Sequence, residues 1–401
     1  MENKKAVPYH RPSIGEEEIQ EVVDTLRSGW LTTGPRTARF EQGIRDYVGV
    51  PYAQAVSSCT AGLHLALTAL ELGPGDEVIT TPMTFCATVN VILHVGATPV
   101  LADVGPDGNI DPLQIMDRIT PRTRAVIPVH FAGLPCDMRR IWNIANRQNL
   151  CVIEDAAHAI GARYLGEPIG GSDPLTGLRS EAVVFSFYAT KNMTTGEGGM
   201  VTSHEEKLID TVRTLCLHGI DKAAWNRYSD KGNWYYEVTR PGFKYNLTDI
   251  QSAIGIHQLK KLDSFIDRRA HLAALYNELL ADCEEVETPP DRGDSRHAWH
   301  LYVLRLRTKS LSISRNDFIQ KLKDQGVGTS VHFIPVPLHP FFAQYAREER
   351  NACPKAIALY SRSLSLPLFP AMEESDVERV AQVVRDTARR ARRQVFAVGM
   401  V

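Results

Sequence analysis

The sequence predicts an α/β protein: a large domain on a mostly parallel seven-stranded sheet with helices on both faces, followed by a smaller C-terminal α+β domain. Three observations carry this expectation. Between residues 53 and 203, short apolar runs at 53–57, 77–80, 98–102, 125–129, 151–154, 182–187 and 200–202 alternate with helical stretches, the pattern of parallel strands joined by crossover helices. Further on, Pro289, Pro290, Asp291, Arg292, Gly293 and Asp294 form a turn-rich linker, after which a new strand-and-helix pattern begins. At 401 residues, 43% apolar and 23% charged, the chain has material for two or three domains with a sizeable core.

Taken in order, Ser13-Ile14-Gly15-Glu16 matches a capping box, and Ile19, Val22, Val23 and Leu26 follow at helical spacing until Gly29 stops the run. A second helix places Phe40, Ile44, Tyr47 and Val48 on one face. After the seven strand candidates, helices are expected at 207–217, at 247–266 and, as a separate element, at 268–280. Beyond the linker, 300–306 reads as a strand, 316–325 as a helix and 373–395 as a closing helix whose Arg385, Arg389, Arg390, Arg392 and Arg393 make a solvated face. The domain boundary is drawn at 265/266, with residues 1–265 forming the N-terminal segment and large domain and 266–401 the small one.

Charge and cysteine usage narrow the function classes. Lys plus Arg number 45 and Asp plus Glu 47, a net charge of −2, so there is no general electrostatic reason to bind nucleic acid or an anionic membrane. Seven cysteines stand singly without a C-x-x-C pair, which argues against a disulfide framework and a cysteine-based metal site, and no metal is expected. The run 78–102 lacks Asp, Glu, Lys and Arg but carries Pro82, Asn90, His94, Gly96 and Pro99, so it reads as buried structure and not as a membrane span. Residues 1–12 show no apolar signal segment, and a cytoplasmic location is expected.

Three constellations carry chemistry. In Val152-Ile153-Glu154-Asp155-Ala156-Ala157-His158 an apolar strand ends in a carboxylate, and ligands of open parallel sheets bind beyond the carboxyl ends of the strands; Asp155 equally suits a cap for the next helix. In Phe185-Ser186-Phe187-Tyr188-Ala189-Thr190-Lys191-Asn192 the alternating aromatics indicate a strand, and Lys191 lies just past its end, before the glycine-rich Gly196-Glu197-Gly198-Gly199. In Val56-Ser57-Ser58-Cys59-Thr60-Ala61-Gly62-Leu63 a strand runs through small hydroxyl residues into a helix, a start suited to a phosphate and also to ordinary Ser/Thr capping. Together they match pyridoxal 5′-phosphate (PLP): an amine for its aldehyde, a carboxylate to keep the pyridine nitrogen protonated, and a helix start for its phosphate.

With these residues in hand, the chain resembles the DegT/DnrJ/StrS sugar aminotransferases. The likeness lies in 57–66, Gly75-Asp76-Glu77-Val78-Ile79, Pro82-Met83-Thr84-Phe85-Cys86-Ala87-Thr88, 154–158, 186–191, 242–251 and Ser365-Leu366-Pro367-Leu368, in the expected order over nearly the whole chain. The resemblance implies a fold-type-I PLP-dependent transferase, a homodimer with shared active sites, and amino transfer from L-glutamate to a nucleotide-linked keto sugar. It makes Lys191 the catalytic Schiff-base lysine and Asp155 the partner of the pyridine nitrogen, and it places His158 near the phenolic oxygen. It assigns Thr60, Ala61 and Ser186 to the phosphate and Phe85 to stacking on the ring. Asn246 is expected to reach the neighbouring subunit's phosphate, and an N-cap role for a helix starting at Leu247 is compatible with that.

For the sugar nucleotide, the resemblance points to the segment Trp30-Leu31-Thr32-Thr33-Gly34-Pro35, with Thr33, and to Val331-His332-Phe333-Ile334-Pro335, with His332. Trp225, Tyr228, Trp234, Tyr235 and Tyr236 suggest a flap. Cys59 departs from the glycine usual before Thr-Ala in the family, and 170–179 looks longer than usual. The likeness of 242–251 to C-4 aminating members favours C-4 of a 4-keto-6-deoxy sugar, with C-3 amination as the alternative. A dehydrating branch has histidine in place of the Schiff-base lysine, so Lys191 speaks against it. A PLP-binding regulator without turnover is the reading from another class; it would need a DNA-binding extension and a basic charge.

Overall fold

A computed structural model describes residues 6–220, 235–346 and 352–393. The chain opens with helices α1 (Glu16–Ser28) and α2 (Pro35–Val48) and continues with β1 (Tyr52–Val56), α3 (Cys59–Ala69), β2 (Glu77–Thr80), α4 (Ala87–His94) and β3 (Thr98–Leu101). Next come α5 (Pro112–Arg118), β4 (Thr123–Ile127), α6 (Met138–Gln148), β5 (Cys151–Asp155), the short β6 (Arg163–Tyr164) and β7 (Glu167–Pro168), β8 (Ala182–Ser186), β9 (Gly199–Ser203) and α7 (Glu206–Cys216). The long α8 (Asp249–Leu280) leads into β10 (Val286–Glu287), β11 (Ser295–Arg296), β12 (Tyr302–Leu306), α9 (Arg315–Asp324), α10 (Ala343–Ala346), α11 (Pro354–Arg362), β13 (Ser363–Leu366) and α12 (Glu374–Arg390).

All seven strand candidates enter one seven-stranded sheet of order β1-β9-β8-β5-β4-β2-β3, in which β9 runs antiparallel to both neighbours and the other pairings are parallel. Alternation along β8 builds two cores. Ala182 and Val184 face one apolar layer with Leu63 and Leu67 of α3 and Val212 of α7; Val183 and Phe185 face the other with Phe40 of α2, Ile141 of α6 and Ile256 of α8. Both faces of the sheet are therefore covered, as buried parallel strands require. A three-stranded sheet, β10-β12-β13, packs with α9, α12 and the second half of α8 around a separate core that includes Tyr276, Tyr302, Phe318 and Val380. Among the described residues no helix is long and apolar enough to cross a membrane.

Several local expectations are corrected. The N-cap of α1 is Gly15 and not Ser13: the Gly15 N–H donates to the Glu18 carboxylate at 2.9 Å, but glycine has no side chain to return the bond. Ser13 instead accepts from Gln258 Nε2 at 2.7 Å through its carbonyl. The apolar stripe of α1 does not face this chain's core, since Ile19 and Leu26 are 50% and 53% exposed while Glu18 and Thr25 are buried. Residues 247–266 and 268–280 are not two helices but the single 32-residue α8, about 48 Å long at 1.5 Å per residue. It carries Ile256, Leu262 and Ile266 into the large core and Leu272, Tyr276 and Leu280 into the small one, so the boundary at 265/266 falls inside a continuous helix. Its N-cap is Thr248 and not Asn246: Thr248 Oγ1 accepts from Gln251 N at 3.3 Å and Gln251 Oε1 from Thr248 N at 3.2 Å. The 170–179 stretch is tied down by the buried Asp173, which accepts from Arg139 Nε at 2.5 Å and from the N–H groups of Leu175 and Thr176.

Gly62 sets how closely α3 lies on the sheet, because a Cβ there would stand 2.6 Å from Val184 Cγ1 and 3.0 Å from Val201 Cγ2. Gly62→Ala is therefore expected to cost about 1–3 kcal/mol as overpacking, read as a lower urea midpoint; an unchanged midpoint would show that the helix has room to move.

Candidate active site

Register brings the first two functional groups together. Strands β5 and β8 pair with Asp155 opposite Val184, so the chain leaving β8 passes the carboxyl end of β5 within a few residues. A turn after Phe187 then carries Lys191, whose N–H donates to the Tyr188 carbonyl at 2.9 Å. Asn192 fastens this turn to the far side: its amide N–H donates to the Ala298 carbonyl at 2.7 Å, and its oxygen accepts from His300 Nδ1 at 3.1 Å. Gly199 lets the returning strand pass the start of α3, since a Cβ there would lie 2.6 Å from the Ser58 carbonyl carbon.

Asp155 is 5% exposed. Its Oδ2 accepts from Thr88 Oγ1 at 2.8 Å and its Oδ1 from the Ala157 N–H at 3.1 Å, while Thr88 is itself 2.7 Å from the Thr84 hydroxyl. Cys59 Sγ lies 3.8 Å from Oδ1, so the departure from glycine at 59 puts a thiol beside the carboxylate. Burial pushes the Asp155 carboxyl above its usual range, and Thr88, Ala157 and Lys191 pull it back. Burial likewise lowers the Lys191 ammonium to about 8, against the opposing pull of Cys59 and Asp155. A buried carboxylate of this kind is completed by a cationic N–H donor, and an amine near pH 8 is available in its neutral, nucleophilic form.

A cavity of about 510 Å³ contains both groups, within the range of small-molecule sites. Thr60, Phe85, Asp155, His158, Ser186, Lys191 and His332, all anticipated from the sequence, line it. Phe85 is 62% exposed at its mouth, with its ring 6.2 Å from that of Phe333. His158 is buried, with its ring 4.3 Å from His300 and stacked on Phe333 at 5.7 Å, and its Nδ1 has no hydrogen-bond partner. Burial and the neighbouring Lys191 and His332 push its pKa well down, so the cavity wall holds a neutral imidazole with one unsatisfied nitrogen. At the start of α3, Ser58 Oγ accepts from the Ala61 N–H at 3.0 Å. The Ala61 amide is thus already engaged, and Ala61 does not line the cavity.

Asn246 and Thr33 lie elsewhere. Asn246 Nδ2 donates to Thr33 Oγ1 at 2.8 Å, and Thr33 Oγ1 donates to the Leu247 carbonyl at 2.5 Å. Thr33 lines a separate surface hollow with Glu41 and Arg213, outside this chain's own cavity. Of the flap aromatics, Trp225, Tyr228 and Trp234 lie outside the described residues, while Tyr235 and Tyr236 are half-exposed and the Tyr235 hydroxyl donates to Glu237 Oε1 at 2.6 Å. Thr88, His300 and Phe333 were not assigned roles from the sequence. Thr88 lies in the segment 82–88 and Phe333 in 331–335, but nothing local in the sequence marks a contact with Asp155 or His158.

The donor set fits an aldehyde-bearing, phosphorylated pyridine: one buried amine, one buried carboxylate, a hydroxyl-rich helix start, an orphaned imidazole nitrogen and an aromatic rim. Comparison with known proteins agrees. The DegT/DnrJ/EryC1/StrS aminotransferase family matches residues 12–385. The spore coat polysaccharide biosynthesis protein SpsC of Bacillus subtilis is 49% identical over 387 residues, 96% of this chain and 98% of that one. A sugar aminotransferase described as putative, Spr1654 of Streptococcus pneumoniae, in its PLP form superposes with a TM-score of 0.88 at 32% identity, covering 96% of this chain and 99% of that one; its PMP form gives 0.89. Helicobacter pylori PseC, an aminotransferase involved in the biosynthesis of pseudoaminic acid, gives 0.87 at 29% identity, covering 96% and 100%.

Because the folded-state pKa of Lys191 lies below its unfolded value, the folded chain binds fewer protons between pH 8 and 10.5 and gains stability there as pH rises. In protein stripped of any cofactor, Lys191→Met is expected to raise stability most below pH 8, with the difference from wild type closing toward pH 10.5. Urea unfolding across that range checks it, and a difference independent of pH would contradict the depressed pKa.

Proposed function

Because the chain belongs to the DegT/DnrJ/EryC1/StrS aminotransferase family and is a PLP-dependent sugar aminotransferase, we propose that it moves an amino group from L-glutamate to C-4 of a nucleotide-linked 4-keto-6-deoxy sugar. The observation that carries the reading is the Lys191 amine and the Asp155 carboxylate sharing one buried cavity. When bound, PLP supplies an electron sink for bonds at the amino-bearing carbon. Lys191 is the residue that holds its aldehyde carbon. With a pKa of about 8, Nζ is also poised to take a proton from the substrate carbon and return it, which is most effective when the pKa lies near the working pH.

Asp155, fixed by Thr88 and Ala157, would hold a proton on the ring nitrogen. Phe85 would cover the ring of the bound group, and His158 would meet its phenolic oxygen. Thr60, Ala61 and Ser186 serve the phosphate; the bond from Ala61 N–H to Ser58 shifts the weight of that task toward Thr60 and Ser186. His332 and Thr33 serve the sugar nucleotide. Asn246 and Thr33 stand outside their own cavity, and α1 leaves Ile19 and Leu26 half-exposed; both features support a homodimer in which these residues complete the partner's site. The seven cysteines are all free, which fits a reducing cytoplasm. The likeness to a spore coat polysaccharide biosynthesis protein supports a product destined for a polysaccharide.

The purified protein is expected to be yellow, to lose its visible band with L-glutamate, and to regain it when a 4-keto-6-deoxy nucleotide sugar is added. Return of the band only with 3-keto compounds would move the chemistry to C-3. Asp155→Asn should lower turnover about 10²-fold or more, since breaking a buried ion pair costs about 3–5 kcal/mol; near-normal turnover would remove Asp155 from the ring nitrogen.

A further inference from the structure

Beside the main cavity lies a smaller hollow of about 200 Å³. Tyr188, Thr190, His300 and His332 line both, so the hollow opens along the turn that carries Lys191. Its outer wall is the start of the chain. The Val7 N–H donates to the Gly326 carbonyl and the Val7 carbonyl accepts from the Gly328 N–H, both at 2.9 Å, which straps residues 7–10 across the small core. His10 Nε2 then donates to the Ala189 carbonyl at 3.2 Å, and Tyr9 stacks on His332 with ring centres 5.8 Å apart.

The polar groups of this hollow suit an anion. Burial raises the Tyr9 phenol, which keeps it protonated, and its hydroxyl shares a side-chain hydrogen bond with Ser365. Thr190 adds a second hydroxyl. His332 Nδ1 is 2.9 Å from the same buried Ser365 hydroxyl, whose single hydrogen leaves one donor of the pair for a ligand: the Tyr9 O–H when Ser365 donates to Tyr9, His332 Nε2–H when it donates to His332. No Asp or Glu lines the hollow. Behind it lies Arg269, 1% exposed. Its Nη1 donates to the carbonyls of Leu368 at 2.7 Å and Trp299 at 3.3 Å, and its Nε has no hydrogen-bond partner. Among the described residues no carboxylate pairs with it, and its charge acts on Tyr9, His10 and His300 in the hollow's wall. A buried guanidinium without a counter-ion is costly and sets up a positive potential that an incoming anion relieves.

We propose that the hollow formed by Tyr9, Thr190 and His332 over Arg269 is the carboxylate subsite for the amino donor. The inference rests on the proposed amino-donor reading, in which the donor's nitrogen must reach Lys191, one residue from Thr190, while its carboxylate still needs a partner. Leu301, Leu366 and Leu368 complete the wall, a surface suited to the methylene groups of a dicarboxylate and not to a strongly hydrated diphosphate.

The test is calorimetric titration of the holoprotein with glutarate, a dicarboxylate without an amine, and separately with UDP. Tyr9→Phe and Thr190→Val are each expected to weaken glutarate binding about tenfold, the weight of one hydrogen bond to a charged group, while UDP binding stays unchanged. Arg269→Gln should weaken glutarate further; if that variant does not fold, the other two decide. Glutarate affinity equal to wild type in both, absence of glutarate binding to the wild type, or a loss confined to UDP would overturn the subsite. A wild-type band that bleaches with L-glutamate, alongside unchanged glutarate binding in the variants, would keep the proposed activity and discard the subsite alone.

Discussion

A lysine amine and an aspartate carboxylate buried at the same end of one sheet form the constraint on which the rest of the molecule depends. Neither group is stable there without help: burial pulls the Lys191 ammonium toward its neutral form and pushes the Asp155 carboxyl up. Each partly answers the other, and the parallel pairing of β5 with β8 keeps them within one cavity. Low dielectric is what gives such a pair its chemical value, because a proton or a positive ring held between them interacts far more strongly than it would in water.

Holding that pair in place calls on distant parts of the chain. Gly62 lets α3 lie close on the sheet and Gly199 lets β9 pass the start of α3, so that the helix start borders the cavity. Asn192 pins the lysine turn to Ala298 and His300, so the small three-stranded unit closes one wall. The single helix α8 feeds both cores and thereby limits relative movement of the two walls. At the N-terminus of α2, Asp249 accepts from the N–H groups of Gly34, Arg36 and Thr37 at 2.8–3.0 Å, an anion placed where a helix start favours one.

What the sequence made legible follows from how local each signal is. The seven strands announce themselves through short apolar runs, and Asp155 and Lys191 are readable because each sits just at or past such a run. Tyr9, His10 and His300 carry no local mark: His10 meets Ala189 across 179 residues of sequence. The sequence reading divides α8 at residue 267, between helices at 247–266 and 268–280, and the charged Arg268 and Arg269 just past that point give no local sign of a buried face. Arg269 instead turns its guanidinium into the core, where backbone carbonyls accept from it. Ser13 looked like a cap because its spacing to Glu16 is right, but the chain enters α1 two residues later, and the neighbouring α8 takes up Ser13 through Gln258.

The central claim is that residue 191 alone bears the cofactor. Borohydride reduction of the holoprotein followed by peptide mass mapping tests it most directly. A single phosphopyridoxyl adduct is expected, on the peptide that contains Lys191. An adduct on another lysine, or none in protein that retains its yellow colour, would contradict it.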